Sequence, residues 1–421
     1  MLFRVKVLLL LIATFMMRPT AFGQSMSSLA IVISLGAVYF HIAEHSIKKN
    51  LRFARHIQFV LVVSVVMWVY FFSHAGIHSG LNFDFVVKAT VTHIVILFSF
   101  ALILSEEKAN QMYFRGFIFI MMAFVISYYI TLALSFVIPW EALFMFKIDV
   151  ESYETTGKTY FPFTVLYSFI EMPGLNLPRL LGLFRESGIF QAFLIWALFC
   201  LKSYGLNRGW IKVVLFLGVG ATLSTTGLAI YFVALALRYM LDRRSVKAVL
   251  IFSFMFYAAF YAPFIGLNEK SEKLGASVTD RSDATLEGLR LFLDHPFGTG
   301  MYNAGYSNVD QLGINLLSSM YMIGIIGVLL VLIVYFATAA TVENKKEYFV
   351  AITPLFMTLL ISQPVLDAPL FYIMLMAAYK NTPREGLPLF EQDAGGWSAI
   401  PQVRTARLPY CAVKTQERSG Q

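Results

Sequence analysis

A chain of 421 residues that is 58% hydrophobic and only 14% charged lies outside the range of soluble domains, in which about a quarter of residues are charged. Its net charge of +8 sits in short clusters between apolar runs, which excludes a nucleic-acid footprint as the reason for it. Runs such as VLVVSVVMWVYFF, GFIFIMMAFVISYYI and IGIIGVLLVLIVYF recur from end to end, without the alternation of a membrane barrel. The expected fold class is all-α, a polytopic integral membrane helical bundle.

In chain order, the apolar runs predict about twelve transmembrane helices. They lie at roughly 5–19, 27–45, 56–73, 85–104, 116–138, 187–201, 211–223, 225–241, 246–266, 314–337, 348–363 and 366–380. The first run follows Arg4 and Lys6 and precedes AFG, which has the form of a signal peptide. Arg18-Pro19 is awkward in a cleavage region, so a retained first helix is favoured, with cleavage left open.

The second span ends in His41-Ile-Ala-Glu44-His45, the inverted zinc-peptidase pattern. It runs straight into Lys48 and Lys49 at a membrane edge, where His and Glu serve solvation, and no third ligand is visible. His74 and His78 form a second loose pair in an outer turn. No metal is assigned. Cys200 lies within a span and Cys411 in the tail, so the cysteines suggest neither an external disulfide nor a cluster.

With the N-terminus inside, Lys48, Lys49, Arg52, Arg55, Arg238, Arg243, Arg244 and most other basic residues fall on one side, together with the tail. The positive-inside rule then makes both termini cytoplasmic. Two outward connections are long, 139–186 and 267–313. The first is aromatic, with Trp140, Phe144, Phe146, Tyr153, Tyr160, Phe161 and Phe163, residues that either anchor a loop at the interface or stack on ligand rings. The second contains an amphipathic stretch, DATLEGLRLFLDH, and then the turn PFGTG. Residues 1–380 form the bundle with these loops, and 381–421 read as a flexible basic cytoplasmic tail that meets membrane lipid.

The two loops hold the ionisable groups that the span centres lack. Arg185 and Glu186 stand together where a span begins. One reading is an interfacial ion pair capping the helix. The other is that Arg185 grips a phosphate through its planar fork while the adjacent acid orients it or takes a proton from a hydroxyl. No phosphate-cradling ATP loop and no GxSxG elbow are present.

GLFRESGIFQAFL resembles the G-x-x-R/x-E-P/S-G-x-(F)-x-x-F-L segment of the O-antigen polymerase and ligase superfamily. Three later stretches follow in that superfamily's order. They are Leu223-Ser224-Thr225-Thr226-Gly227, the run from Leu291 to Gly300 containing HPFGTG, and Asn315-Leu316-Leu317 through Gly324-Ile325-Ile326-Gly327. The resemblance covers about residues 165–380. Ligases usually carry a histidine before the last of these motifs and an arginine in the second; this chain has neither, which favours the polymerase (Wzy-type) branch. Arg290 to Gly300 is one residue short of the R-x10-G spacing of some polymerases.

The resemblance implies a glycosyltransferase of the bacterial inner membrane, working on its periplasmic face without cofactor. Undecaprenyl-diphosphate-linked glycans are both donor and acceptor, and a chain-length regulator protein is a further partner. A leaving diphosphate needs fixed positive charge, for which Arg185, Arg281, Arg179 and Arg290 are the candidates. An acceptor hydroxyl benefits from a base, for which Glu186, Asp283, Asp294 and His295 are candidates. Tyr302 and Asn303 are candidate sugar contacts. The alternatives are a ligase that transfers glycan to lipid A-core and a flippase of lipid-linked repeat units.

Overall fold

The computed structural model describes residues 2–23, 25–45, 54–77, 83–149, 156–166, 169–172, 175–242, 245–261, 275–302, 315–363 and 365–379. The predicted tail, Cys411, Asn303 and His78 lie outside these residues.

The first five helices follow the apolar runs: α1 (Leu2–Phe15), α2 (Ser27–His45), α3 (Arg55–Ile77), α4 (Phe83–Leu104) and α5 (Glu107–Ser135). After the connecting segment come α7 (Ser187–Cys200), α8 (Gly209–Ala221), α9 (Thr225–Leu241), α10 (Ser245–Tyr261), α11 (Gly275–Asp294), α12 (Leu316–Phe336), α13 (Lys345–Met357) and α14 (Pro369–Leu375). Among the described residues, five helices are long and apolar enough to cross a membrane: Ser27–Glu44, Arg55–Ile77, Phe83–Leu104, Glu107–Ser135 and Leu316–Ala340. The protein is a helical membrane protein. Because lipid is as apolar as a leucine side chain, its helices are held by close packing and internal hydrogen bonds more than by the hydrophobic effect.

Among the described residues, the apolar helices α7 and α14 are enclosed by protein. In α7, Phe190, Phe193, Leu194, Ile195 and Trp196 have no exposed surface, and in α14 the same holds for Leu370 through Leu375. Phe193 meets Phe371 with ring centroids 5.2 Å apart, so the two helices touch through aromatic rings. α9 approaches α7 closely: a Cβ on Gly227 would fall 1.5 Å from Gln191 Oε1. A larger residue there would force the Gln191 side chain to move.

Lys6 is fully buried in α1, and its ammonium reaches Glu106 (2.6 Å), Glu44 (2.8 Å) and His41 Nδ1 (3.2 Å). Two members of the zinc-peptidase-like pattern are thus engaged with a buried lysine. α1 packs as a member of the bundle, with Val7 and Leu10 in the core.

The segment after α5 departs from an all-α chain. A single turn, α6 (Trp140–Leu143), leads into β1 (Phe144–Asp149), β2 (Thr156–Tyr160) and β3 (Thr164–Leu166), an antiparallel sheet in sequence order. β4 (Phe169–Met172) and β5 (Leu175–Pro178) pair as a separate hairpin. Thr and aromatic residues suit a half-buried pleated surface. The sheet is anchored on α5, where Thr131 Oγ1 donates to Phe161 O (2.8 Å) and Ser127 Oγ accepts from Phe163 N (3.0 Å). Of the loop aromatics, Trp140 and Tyr160 pack edge to face at 5.0 Å, whereas Phe144, Phe146 and Phe161 are exposed.

The amphipathic stretch of the second loop is helical, as its pattern predicts, and forms the end of α11. It lies against the start of α12 so tightly that a Cβ on Gly288 would sit 2.4 Å from Ser318 O. The span predicted at 211–223 is the 13-residue α8, and within that predicted at 366–380 the regular helix is the seven-residue α14, preceded by non-helical backbone at 365–368 and, earlier, by a π-helical turn (Thr358–Ser362).

Candidate functional site at broken helices

α12 is broken at Gly324, whose φ of 66° lies in the left-handed region that favours glycine. A break leaves backbone groups without helical partners, and in an apolar setting each must find another. The PFGTG turn supplies them. Thr299 N donates to Tyr321 O (2.9 Å), Gly300 N to Met322 O (3.0 Å), and Ile325 N donates back to Pro296 O (2.9 Å). Tyr70 from α3 donates its hydroxyl to Ile323 O (3.1 Å). Gly298, at φ 95°, packs with no room for a Cβ, which would lie 2.7 Å from Gly324 N. Two of the motifs that carried the family resemblance, PFGTG and GIIG, are therefore one structural unit.

The strap 179–186 enters α7 across two other segments. Leu180 N donates to Ala221 O (3.0 Å), Ala21 N to Leu183 O (2.8 Å) and Arg185 N to Pro19 O (3.2 Å). Arg179 donates to Ser187 Oγ (2.7 Å) and Thr222 O (3.4 Å), tying the start of α7 to the α8–α9 corner. At that corner Ser224 caps α9, accepting from Gly227 N (3.3 Å). The LSTTG motif thus turns the chain beside the strap that carries Arg185 and Glu186.

Glu186 is the N-cap residue of α7 in extended conformation, but its carboxylate does not cap the helix. It accepts instead from Gln363 Nε2, on the irregular segment before α14. Gly188, in the first turn of α7, faces the same segment, with its Cβ position 3.4 Å from Gln363 Nε2, 3.6 Å from Ser362 Oγ and 3.9 Å from Ser224 Oγ. Asn315, which caps α12 in a reciprocal box with Ser318, also donates to Ile361 O (3.2 Å) and to Thr285 Oγ1 of α11 (3.4 Å). A chain of contacts therefore runs from Glu186 through residues 361–363 to Asn315 and α11, joining the two long connections.

Four residues past Gln363, Asp367 is buried and ion-paired with Arg18, and Tyr302 donates its hydroxyl to the same Oδ2 atom at 3.3 Å. Tyr302, predicted as a sugar contact, is itself buried, with Phe85 packed edge-on at 4.8 Å. The other predicted residues of the second loop lie elsewhere. Asp283, Asp294 and His295 are exposed, and so is Arg290, 4.0 Å from Glu287 on its own helix. Among the described residues no hydrogen bond or ion pair joins these four to the Glu186 group. Arg281 lies in α11 with its side chain outside the described residues.

Arg18, Gln363 and Asp367 were not anticipated as members of this site. Asp367 carried a signal: it is the lone acid in LLISQPVLDAPLFYIML, and an ionisable residue in an apolar run marks function by default. Arg18 carried one too, but the run before it has the look of a leader. Comparison of the chain with protein-family models, with curated proteins and with solved structures gave no match.

Proposed function

We propose that the protein is a glycosyltransferase that polymerises undecaprenyl-diphosphate-linked oligosaccharide repeat units into O-antigen or a related surface polysaccharide. It works on the periplasmic face of a bacterial inner membrane, in a bundle of about twelve spans with both termini cytoplasmic. The observation that carries this reading is the gathering of Arg179, Arg185 and Glu186 at the start of α7, against the broken segment holding Gln363. The order of the four motifs supports the reaction class, and three of the four bear on this one region.

In the reaction, the acceptor hydroxyl oxygen attacks the anomeric carbon of the donor glycan. A new glycosidic C–O bond forms and the bond to the lipid diphosphate breaks, its electron pair leaving with the diphosphate. The hydroxyl proton passes to a carboxylate, for which Glu186 is the assigned base. Arg185 lies beside the departing anion and stabilises its charge through paired hydrogen bonds. Arg179 orients the start of α7. Arg281 is the candidate cation from the second loop.

The test is the lipopolysaccharide profile of a deletion strain complemented with wild type, Arg185→Ala or Arg281→Ala at matched membrane abundance. Wild type should restore a ladder and Arg185→Ala should leave single-repeat lipopolysaccharide. A full ladder from both variants would remove the site assignment. Bare core with retained lipid-linked glycan in the deletion strain would replace the polymerase by a ligase, and absence of any externalised repeat would replace it by a flippase.

A further inference from the structure

We propose that Gln363 and Asp367 form a hydrogen-bond-accepting subsite that holds hydroxyl groups of the glycan; this deepens the reading above and rests on it for the ligand's identity. The two residues lie four apart on the segment where the chain stops being helical. Gln363 is in extended conformation, after which Val365 N donates to Gln363 O (2.9 Å) and Ala368 N to Val365 O (3.1 Å), so the chain turns tightly between them. Irregular backbone within an apolar run is stable only where it is enclosed by protein or lines a polar cavity.

Both side chains are about 2–3% exposed, and each presents one buried oxygen without a hydrogen-bond partner among the described residues: Gln363 Oε1 and Asp367 Oδ1. The orientation of the amide is chemically fixed. A carboxylate only accepts, so Gln363 must turn Nε2 to Glu186 and its oxygen away. At Asp367 the Oδ2 atom is taken by Arg18 and Tyr302, which leaves Oδ1 as the unused acceptor. Buried acceptors are costly to leave unmade.

Electrostatics selects what fills them. Arg18, Arg179 and Arg185 outnumber Glu186 and Asp367, so the region carries net positive charge and disfavours a cation. An anion has no donor to offer these oxygens. A neutral ligand with several O–H donors satisfies both, and a sugar attached to a diphosphate brings such donors beside the anion that the arginines attract.

The experiment uses full-length protein in lipid nanodiscs and two probes. One is undecaprenyl diphosphate without sugar; the other is lipid-linked repeat units extracted from a strain lacking this chain. Asp367→Asn turns the free oxygen position into a donor, and Gln363→Met removes the amide oxygen. Both variants should bind undecaprenyl diphosphate within about twofold of wild type and raise KM for the glycan-bearing lipid by about tenfold, the loss of one hydrogen bond to a charged or buried group. Wild-type KM in both variants, with altered thermal stability only, would overturn the subsite and give these residues a purely internal role. Should Asp367→Asn not fold, Gln363→Met decides alone by the same criterion. Failure of wild type to bind either probe would instead overturn the proposed function.

Discussion

The start of α7 and the end of α11 carry the same kinds of residue, an arginine followed by an acid with further polar groups near by, yet they are placed very differently. At α7, Arg179 and Glu186 each have partners on other segments, and the region borders a break in the fold. At α11, Arg290, Asp294 and His295 are exposed, with an ion pair one turn away as the described partner of Arg290. Residue type alone does not make a site. Fixed partners and removal from water do, because a charge held by long, solvated side chains is screened and mobile.

The sharpest way to test the contrast is to break the buried pair. Arg18→Ala leaves Asp367 charged and buried without its cation, and this should cost about 3–5 kcal/mol, read as loss of folded protein or a lower Tm in detergent. A double variant, Arg18→Met with Asp367→Leu, should recover much of that stability while keeping a raised KM for the glycan-bearing lipid. Stability unchanged in Arg18→Ala would mean that the pair is not enclosed.

Next comes the break in α12. Gly324→Ala places a Cβ 2.2 Å from Phe297 O at a left-handed φ, and should destabilise by about 1–3 kcal/mol with looser docking of PFGTG. Proteolytic sensitivity of the 296–300 turn would report the loosening, and an unchanged digestion pattern would count against the interlock.

A smaller effect is expected from Gln363→Leu. It strips Glu186 of a donor and should cost about 1–3 kcal/mol in stability, with a larger relative fall in turnover. At the other pole, Arg290→Ala and His295→Ala should each shift stability by no more than about 0.5 kcal/mol. Their effect on polysaccharide length should be smaller than that of Glu186→Gln. If His295→Ala abolished polymerisation at normal abundance, the two regions would have to exchange roles.

How much of this was legible in the sequence follows from what each feature leaves behind in residue pattern. The long spans were visible because α3, α4, α5 and α12 are apolar over more than a membrane's thickness. The amphipathic end of α11 was visible from its spacing of Leu and charged residues. The sheets within 144–178 were hidden, because strands of three to six residues rich in aromatics and threonine look the same as an interfacial loop. The break at Gly324 was hidden because a glycine in an apolar helix is common in membranes, and its role appears only when PFGTG is seen to fill the vacant hydrogen bonds. Arg185 and Glu186 were found by chemistry. The partner of Glu186, Gln363, lies 177 residues further along the chain, and no local pattern joins the two.

On the proposed function, chemistry occurs where α7 begins, against the irregular segment before α14. The most direct test is turnover of extracted lipid-linked repeat units by purified Glu186→Gln protein, with binding of undecaprenyl diphosphate measured alongside. Binding should be retained and polymer formation should fall by at least about a hundredfold, the usual contribution of a general base. Polymer formed at the wild-type rate by a folded Glu186→Gln protein would contradict a catalytic role for the start of α7.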